Sequence, residues 1–176
     1  VGQLPAFEVT GDSLARAADF FTQRQVKRIF ILADPFLDKT LILPRIKSAM
    51  GADVSLSLYS EFSGEPKLAS VQSALDAARR HEAEGVLGIG GGSALDMAKI
   101  VKTCLRTGRK VADFVMQRNP LPPMEAQVPS VMIPTTAGTG SESSGTNILA
   151  LENGNKGWVW GAETRPDLAL LDPHFS

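Results

Sequence analysis

Gly85-Val-Leu-Gly-Ile89 is a short apolar run that opens directly into Gly90-Gly-Gly92 and then into Ser93-Ala-Leu-Asp-Met-Ala-Lys99. A strand, a glycine turn and a helix in immediate succession constrain the fold more than any other stretch. Such a unit belongs to strand–helix–strand alternation, and so to a mostly parallel sheet whose ligands sit at the carboxyl ends of its strands. The rest of the chain has the same rhythm. Arg28-Ile-Phe-Ile-Leu-Ala33, Val54-Ser-Leu-Ser-Leu-Tyr59 and Ser130-Val-Met-Ile133 are further apolar or alternating runs ended by turn signals. Between them helical faces recur: Leu14, Ala17, Ala18 and Phe21; Leu68, Val71, Leu75 and Ala78; Met97, Ile100, Val101, Cys104 and Leu105. Near Pro44 a helix either begins or bends. Gln117 to Pro129 holds four prolines and reads as a loop, and Leu149 to Trp160 as a hairpin turning at Asn153-Gly154.

With 176 residues, 43% of them hydrophobic, the chain can build a core as one domain, residues 1–176. Its net charge of −1 gives no reason to expect nucleic acid or a membrane surface as partner. No apolar run is long enough to span a bilayer. The single cysteine, Cys104, excludes an internal disulfide, fits a reducing, cytoplasmic setting, and reads as a small core residue. The opening on Val1 reads as a fragment or processed form.

Pyrophosphate would sit over the amides of Gly91, Gly92 and Ser93, where the dipole of the following helix is positive. Ser93 and Asp96 also have the spacing of a capping box, the reading favoured for Asp96; Ser93 can both cap and meet an anion. Asp34, directly after the first strand, is placed either to accept from a ribose or to cap a turn before Pro35. A second small-residue loop, Ile133-Pro-Thr-Thr-Ala-Gly-Thr-Gly-Ser-Glu142, offers the hydroxyls of Thr135, Thr136 and Thr139 straight after a buried strand. Glu142 reads as a helix-start carboxylate rather than a general base. His81 reads as solvated, His174 has no partners that complete a metal site, and Trp158 and Trp160 read as packing residues.

Gly90-Gly-Gly-Ser-Ala-Leu-Asp-Met-Ala-Lys99, Pro134-Thr-Thr-Ala-Gly-Thr-Gly-Ser-Glu142 and Pro166-Asp-Leu-Ala-Leu-Leu-Asp-Pro173 together resemble, in order and spacing, the motifs of the iron-containing (group III) alcohol dehydrogenases. The resemblance covers almost the whole chain and corresponds to roughly the first half of a family member. It implies a Rossmann-like α/β cofactor domain with helices on both faces of the sheet plus a β-hairpin. Asp34 would lie at the adenosine ribose, favouring NAD over NADP; Gly91, Gly92 and Ser93 at the pyrophosphate; Thr135, Thr136 and Thr139 along the nicotinamide half. Lys156 falls where the family often has a cofactor-contacting lysine, and Thr146 is a further candidate. The resemblance also implies an alcohol or aldehyde substrate, a homo-oligomer at full length, and a divalent metal, iron or zinc, held by a helical domain beyond Ser176. No catalytic or metal-ligating residue is therefore assigned in this chain. Gly64-Glu65-Pro66 stands where many members read Pro-Asn-Pro, and Ser143-Ser144 where many read Val-Thr. The alternatives are the cofactor domain of a dehydroquinate-synthase-like enzyme, or a non-catalytic nucleotide-binding module.

Overall fold

The computed structural model describes residues 5–37, 39–124 and 127–175. Its main sheet has six strands: β1 (Ala6–Val9), β2 (Arg28–Ala33), β3 (Ser55–Tyr59), β4 (Gly85–Gly90), β5 (Ser130–Pro134) and β8 (Leu168–Leu171). They lie in the order β1-β8-β5-β4-β2-β3, and every pairing is parallel. The remaining strands, β6 (Thr146–Ala150) and β7 (Lys156–Trp160), form a separate antiparallel hairpin. Four helices, α1 (Ser13–Gln23), α2 (Lys39–Met50), α3 (Leu68–Arg80) and α4 (Gly92–Cys104), supply the crossovers.

Alternation along β2 sorts the core into two layers. Ile29, Ile31 and Ala33 face α1 and α2, whereas Phe30 and Leu32 face α3 and α4. Each of these isoleucine, phenylalanine and leucine side chains taken fully out of water contributes about 1.5–3 kcal/mol, so a one-residue slip of register would forfeit both layers. The α2 helix runs through Pro44 rather than starting there. Cys104 is buried in α4, and burial pushes its thiol up to about 12, as a core residue requires.

Two strands extend the sheet beyond the four apolar runs read from sequence. One, β8, coincides with the Pro166–Pro173 motif; the other, β1, leaves Phe7 and Val9 exposed at the sheet edge and so carries little alternation. The hairpin is present, but its connection is the five residues 151–155, closed by Leu151 N–H to Asn155 O at 2.8 Å, with Gly154 inside it.

This order creates a switch point. From β2 the chain first moves outward to β3, then returns across β2 to place β4 on its other side. Crossovers then leave β2 and β4 on opposite faces, and a crevice opens at the carboxyl ends of these two strands.

Candidate functional site

At the end of β4 three glycines do different work. Gly90 has φ +151°, and a Cβ there would stand 2.7 Å from the Cβ atoms of both Ala94 and Asp34, so the fold itself demands glycine. Gly91 is different. Its φ of −74° and ψ of −179° suit any residue, and a Cβ would meet only ordinary contacts, Thr136 at 3.5 Å and Asp34 Oδ2 at 3.7 Å. Neither backbone nor packing calls for glycine at 91; the space a methyl would fill lies between Asp34 and Thr136, over the start of α4. At Gly92 a Cβ would press on Thr139 at 3.2 Å.

Gly91 is the N-cap of α4 and provides no side chain to its first amides, and the first turn carries no acidic residue. The amides of Gly92 and Ser93 therefore meet the crevice with the positive end of the helix dipole behind them. The expected Ser93–Asp96 capping box does not form. The helix begins two residues earlier than that box requires, with Gly91 rather than Ser93 as N-cap, and Asp96 turns away to Ser141 and to the Ile148 amide.

Asp34 combines its two expected roles. Oδ1 accepts from the Phe36 amide at 3.0 Å, which is the turn after Pro35, while Oδ2 lies 3.4 Å from the Gly91 N–H. Its backbone N–H donates to Ile89 O at 2.9 Å, locking the carboxylate beside the glycine turn. The side chain is half-buried, with one oxygen bound only through a long contact.

On the other flank, Thr135 N–H donates to Gly90 O at 3.0 Å and ties the second loop to the first. Thr136 stands beside Gly91 and Thr139 beside Gly92, both exposed. Asp34, Gly91, Gly92, Thr135, Thr136 and Thr139 thus come together at one place, with Ser93 on the adjoining helical turn. Glu142 does not start a helix: residues 141–143 make a single turn closed by Ser143 and Ser144 N–H to Gly140 O, each at 3.0 Å. His81 is half-buried, its ring 3.3 Å from Ser55 O, rather than simply solvated.

Two candidates stand apart from this group. Thr146 is exposed at the start of β6, its backbone held by the Ser144 hydroxyl at 3.0 Å. Lys156 pairs with Ala150 at the far end of the hairpin, where its ammonium meets Glu65 at 3.2 Å. A hollow of about 300 Å³ among Arg28, Arg79 and Arg106 lies at the opposite, amino end of the strands. No group of three or more His, Cys, Asp or Glu side chains suited to a metal ion occurs among the described residues.

Sequence reasoning missed Lys99. It is fully buried in α4, its Nζ 3.1 Å from Ser144 O and 3.3 Å from Asp96 Oδ1. Burial pushes its pKa down, against the opposing pull of Asp96 and Glu142. Periodicity could not expose it, because α4 is covered by the sheet on one face and by β6 on another.

The profile of iron-containing alcohol dehydrogenases matches residues 6–173. The chain belongs to the iron-containing alcohol dehydrogenase family. It is 32% identical over 151 residues to long-chain-alcohol dehydrogenase 1 of Geobacillus thermodenitrificans, covering 85% of this chain and 38% of that protein. It is 32% identical over 166 residues to sulfoacetaldehyde reductase of Bilophila wadsworthia, covering 93% and 42% respectively. Among solved structures it superposes on sulfoacetaldehyde reductase from Bifidobacterium kashiwanohense, in complex with NAD+, with a TM-score of 0.88 at 24% identity, over 97% of this chain and 45% of that one. The chain thus spans less than half the length of each of these proteins. No described helix is long and apolar enough to cross a membrane.

Proposed function

We propose that this chain is the nicotinamide-cofactor half, residues 1–176, of a metal-dependent alcohol dehydrogenase, and that NAD lies across the β2–β4 crevice. Gly91 carries the reading. A glycine that neither conformation nor packing requires, at a helix start on the switch point, fits a pyrophosphate that must approach the backbone. The amides of Gly91, Gly92 and Ser93 would hold the phosphates. Asp34, with Oδ2 only weakly engaged, would accept from the adenosine ribose hydroxyls, and Thr135, Thr136 and Thr139 would line the nicotinamide half. Thr146 and Lys156 stay as outer candidates, Lys156 after release from Glu65. When bound, NAD supplies the hydride acceptor for an alcohol, or as NADH the donor for an aldehyde.

The described residues offer the metal no cluster of three or more His, Cys, Asp or Glu side chains. We place its ligands, for iron or zinc, in a helical domain outside this chain, and take the whole protein to be a homo-oligomer as its family resemblance implies. A cytoplasmic setting is part of the same proposal, with which the one cysteine, Cys104, free and buried, is compatible. Titration of the purified 176-residue protein with NADH, followed by fluorescence, tests the reading: saturable binding without alcohol-dependent NAD reduction is expected. Absence of binding at millimolar NADH, or turnover with stoichiometric metal, would overturn it.

A further inference from the structure

The loop between β5 and β6 carries the three threonines, yet it has no strand partner and only one turn of its own. Backbone bonds hold its two ends, Thr135 N–H to Gly90 O and Gly161 N–H to Gly145 O; between them its position over the glycine turn rests on side chains of α4. Asp96 accepts from the Ser141 hydroxyl with Oδ1 and from the Ile148 N–H, at 2.9 Å, with Oδ2. Lys99 donates to the Ser144 carbonyl at 3.1 Å and lies 3.3 Å from Asp96 Oδ1. Two tethers to the loop, at Ser141 and Ser144, and a third to β6, at Ile148, therefore run from one ion pair, Lys99 fully buried and Asp96 largely so, one helical turn behind the phosphate-facing amides. An apolar pair of similar volume would stabilise a helix–hairpin contact as well, since burying two charges costs about as much as their attraction returns. What an apolar pair lacks is direction: hydrogen bonds fix where a loop sits, and dispersion contacts do not.

We propose that Asp96 and Lys99 are positioning residues that set the threonine loop over the glycine turn and so determine cofactor affinity. This rests on the cofactor reading above, because Thr139 and Thr136 meet Gly92 and Gly91 only while the loop is held. The pair touches no cofactor itself; it acts through Ser141, Ser144 and Ile148.

The test compares hydrogen exchange, NADH titration and melting temperature for wild type, Lys99→Met and Ser141→Ala. Lys99→Met removes the Ser144 tether with little change of volume; Ser141→Ala removes one hydroxyl and leaves the buried pair intact. Exchange over residues 141–148 should quicken at least about tenfold in each variant, as expected for losing one hydrogen bond to a charged group, of about 1.5–3 kcal/mol. Exchange in β2 and β4 should stay unchanged, and NADH affinity should fall by similar factors. A uniform rise across β2 and β4 would mean global destabilisation and would overturn the positioning role. So would a local rise with unaltered NADH affinity, or no local rise in either variant. Failure of wild type to bind NADH would remove the cofactor reading instead, with local exchange then deciding whether the tethers hold the loop. Should Lys99→Met fail to fold, Ser141→Ala decides by the same criteria.

Discussion

Replacing Gly91 by alanine separates what the fold needs from what a ligand needs. In the protein alone the new methyl meets Thr136 at 3.5 Å and Asp34 Oδ2 at 3.7 Å, both ordinary contacts, and the φ of −74° is unstrained. Two opposing effects on stability remain. Restricting the unfolded chain stabilises by about 0.4–1 kcal/mol. Losing glycine at an N-cap destabilises by a comparable amount, roughly 0.5–1 kcal/mol. They nearly cancel, so the melting temperature should shift by no more than about 2 °C for a chain of this size. Binding is another matter. A phosphate oxygen accepting from the Gly91 or Gly92 amide would sit where the methyl lies, and displacing it forfeits at least one charge-assisted hydrogen bond of about 1.5–3 kcal/mol. NADH affinity should therefore fall roughly 10- to 100-fold at nearly constant stability. Gly90→Ala gives the contrast: its methyl would stand 2.7 Å from two Cβ atoms at φ +151°, so it should lose several kilocalories of stability first. Fluorescence titration and thermal melts of both variants provide the measurements. Unchanged NADH affinity in Gly91→Ala, or a melting temperature depressed by more than about 5 °C, would refute the reasoning.

Asp34→Asn keeps the Phe36 turn while removing the charge. A 2′-phosphate at ~4 Å from that carboxylate is repelled by at most about 4 kcal/mol at an effective dielectric near 20, and half-exposure screens much of it; an NADP affinity gain of about tenfold is expected, largest at low salt. Equal NADP binding by wild type and variant would show that the carboxylate points elsewhere. Asp172 gives an acid-limb prediction. Its burial raises the pKa, but hydrogen bonds from Ser13 and His174 outweigh that and hold it down to about 2, against an ordinary 3.8. Its stabilising effect is thus complete above pH 3.8 and lost as pH falls toward 2, so melts across this window should be steeper in wild type than in Asp172→Asn; parallel curves would contradict the assignment. Burial and a thiol pushed up to about 12 should make Cys104 inert to a disulfide reagent in the native state and reactive after denaturation. Rapid labelling of the native protein would contradict this.

The two small-residue loops were legible because each follows a fully buried apolar strand, and parallel strands end where ligands sit. Asp34 was legible for the same reason, as the first polar residue after β2. Asp96 was misread because a three-residue spacing from serine suits a capping box, while a long-range carboxylate partner, Ile148, leaves no local sign. Lys99 was invisible for a related cause: a lysine on a helix reads as solvated unless something is known to cover it, and here the hairpin does. Edge strand β1 gave weak alternation because much of its apolar surface remains exposed.

The central claim is that phosphates sit on the amides opening α4, with Asp34 and the threonine loop on either side. Backbone amide chemical-shift mapping with NADH tests it directly. Gly91, Gly92 and Ser93 should show the largest shifts, with Thr136 and Thr139 following. Shifts centred instead on Arg28, Arg79 and Arg106, at the amino end of the strands, or spread evenly over the surface, would contradict the account.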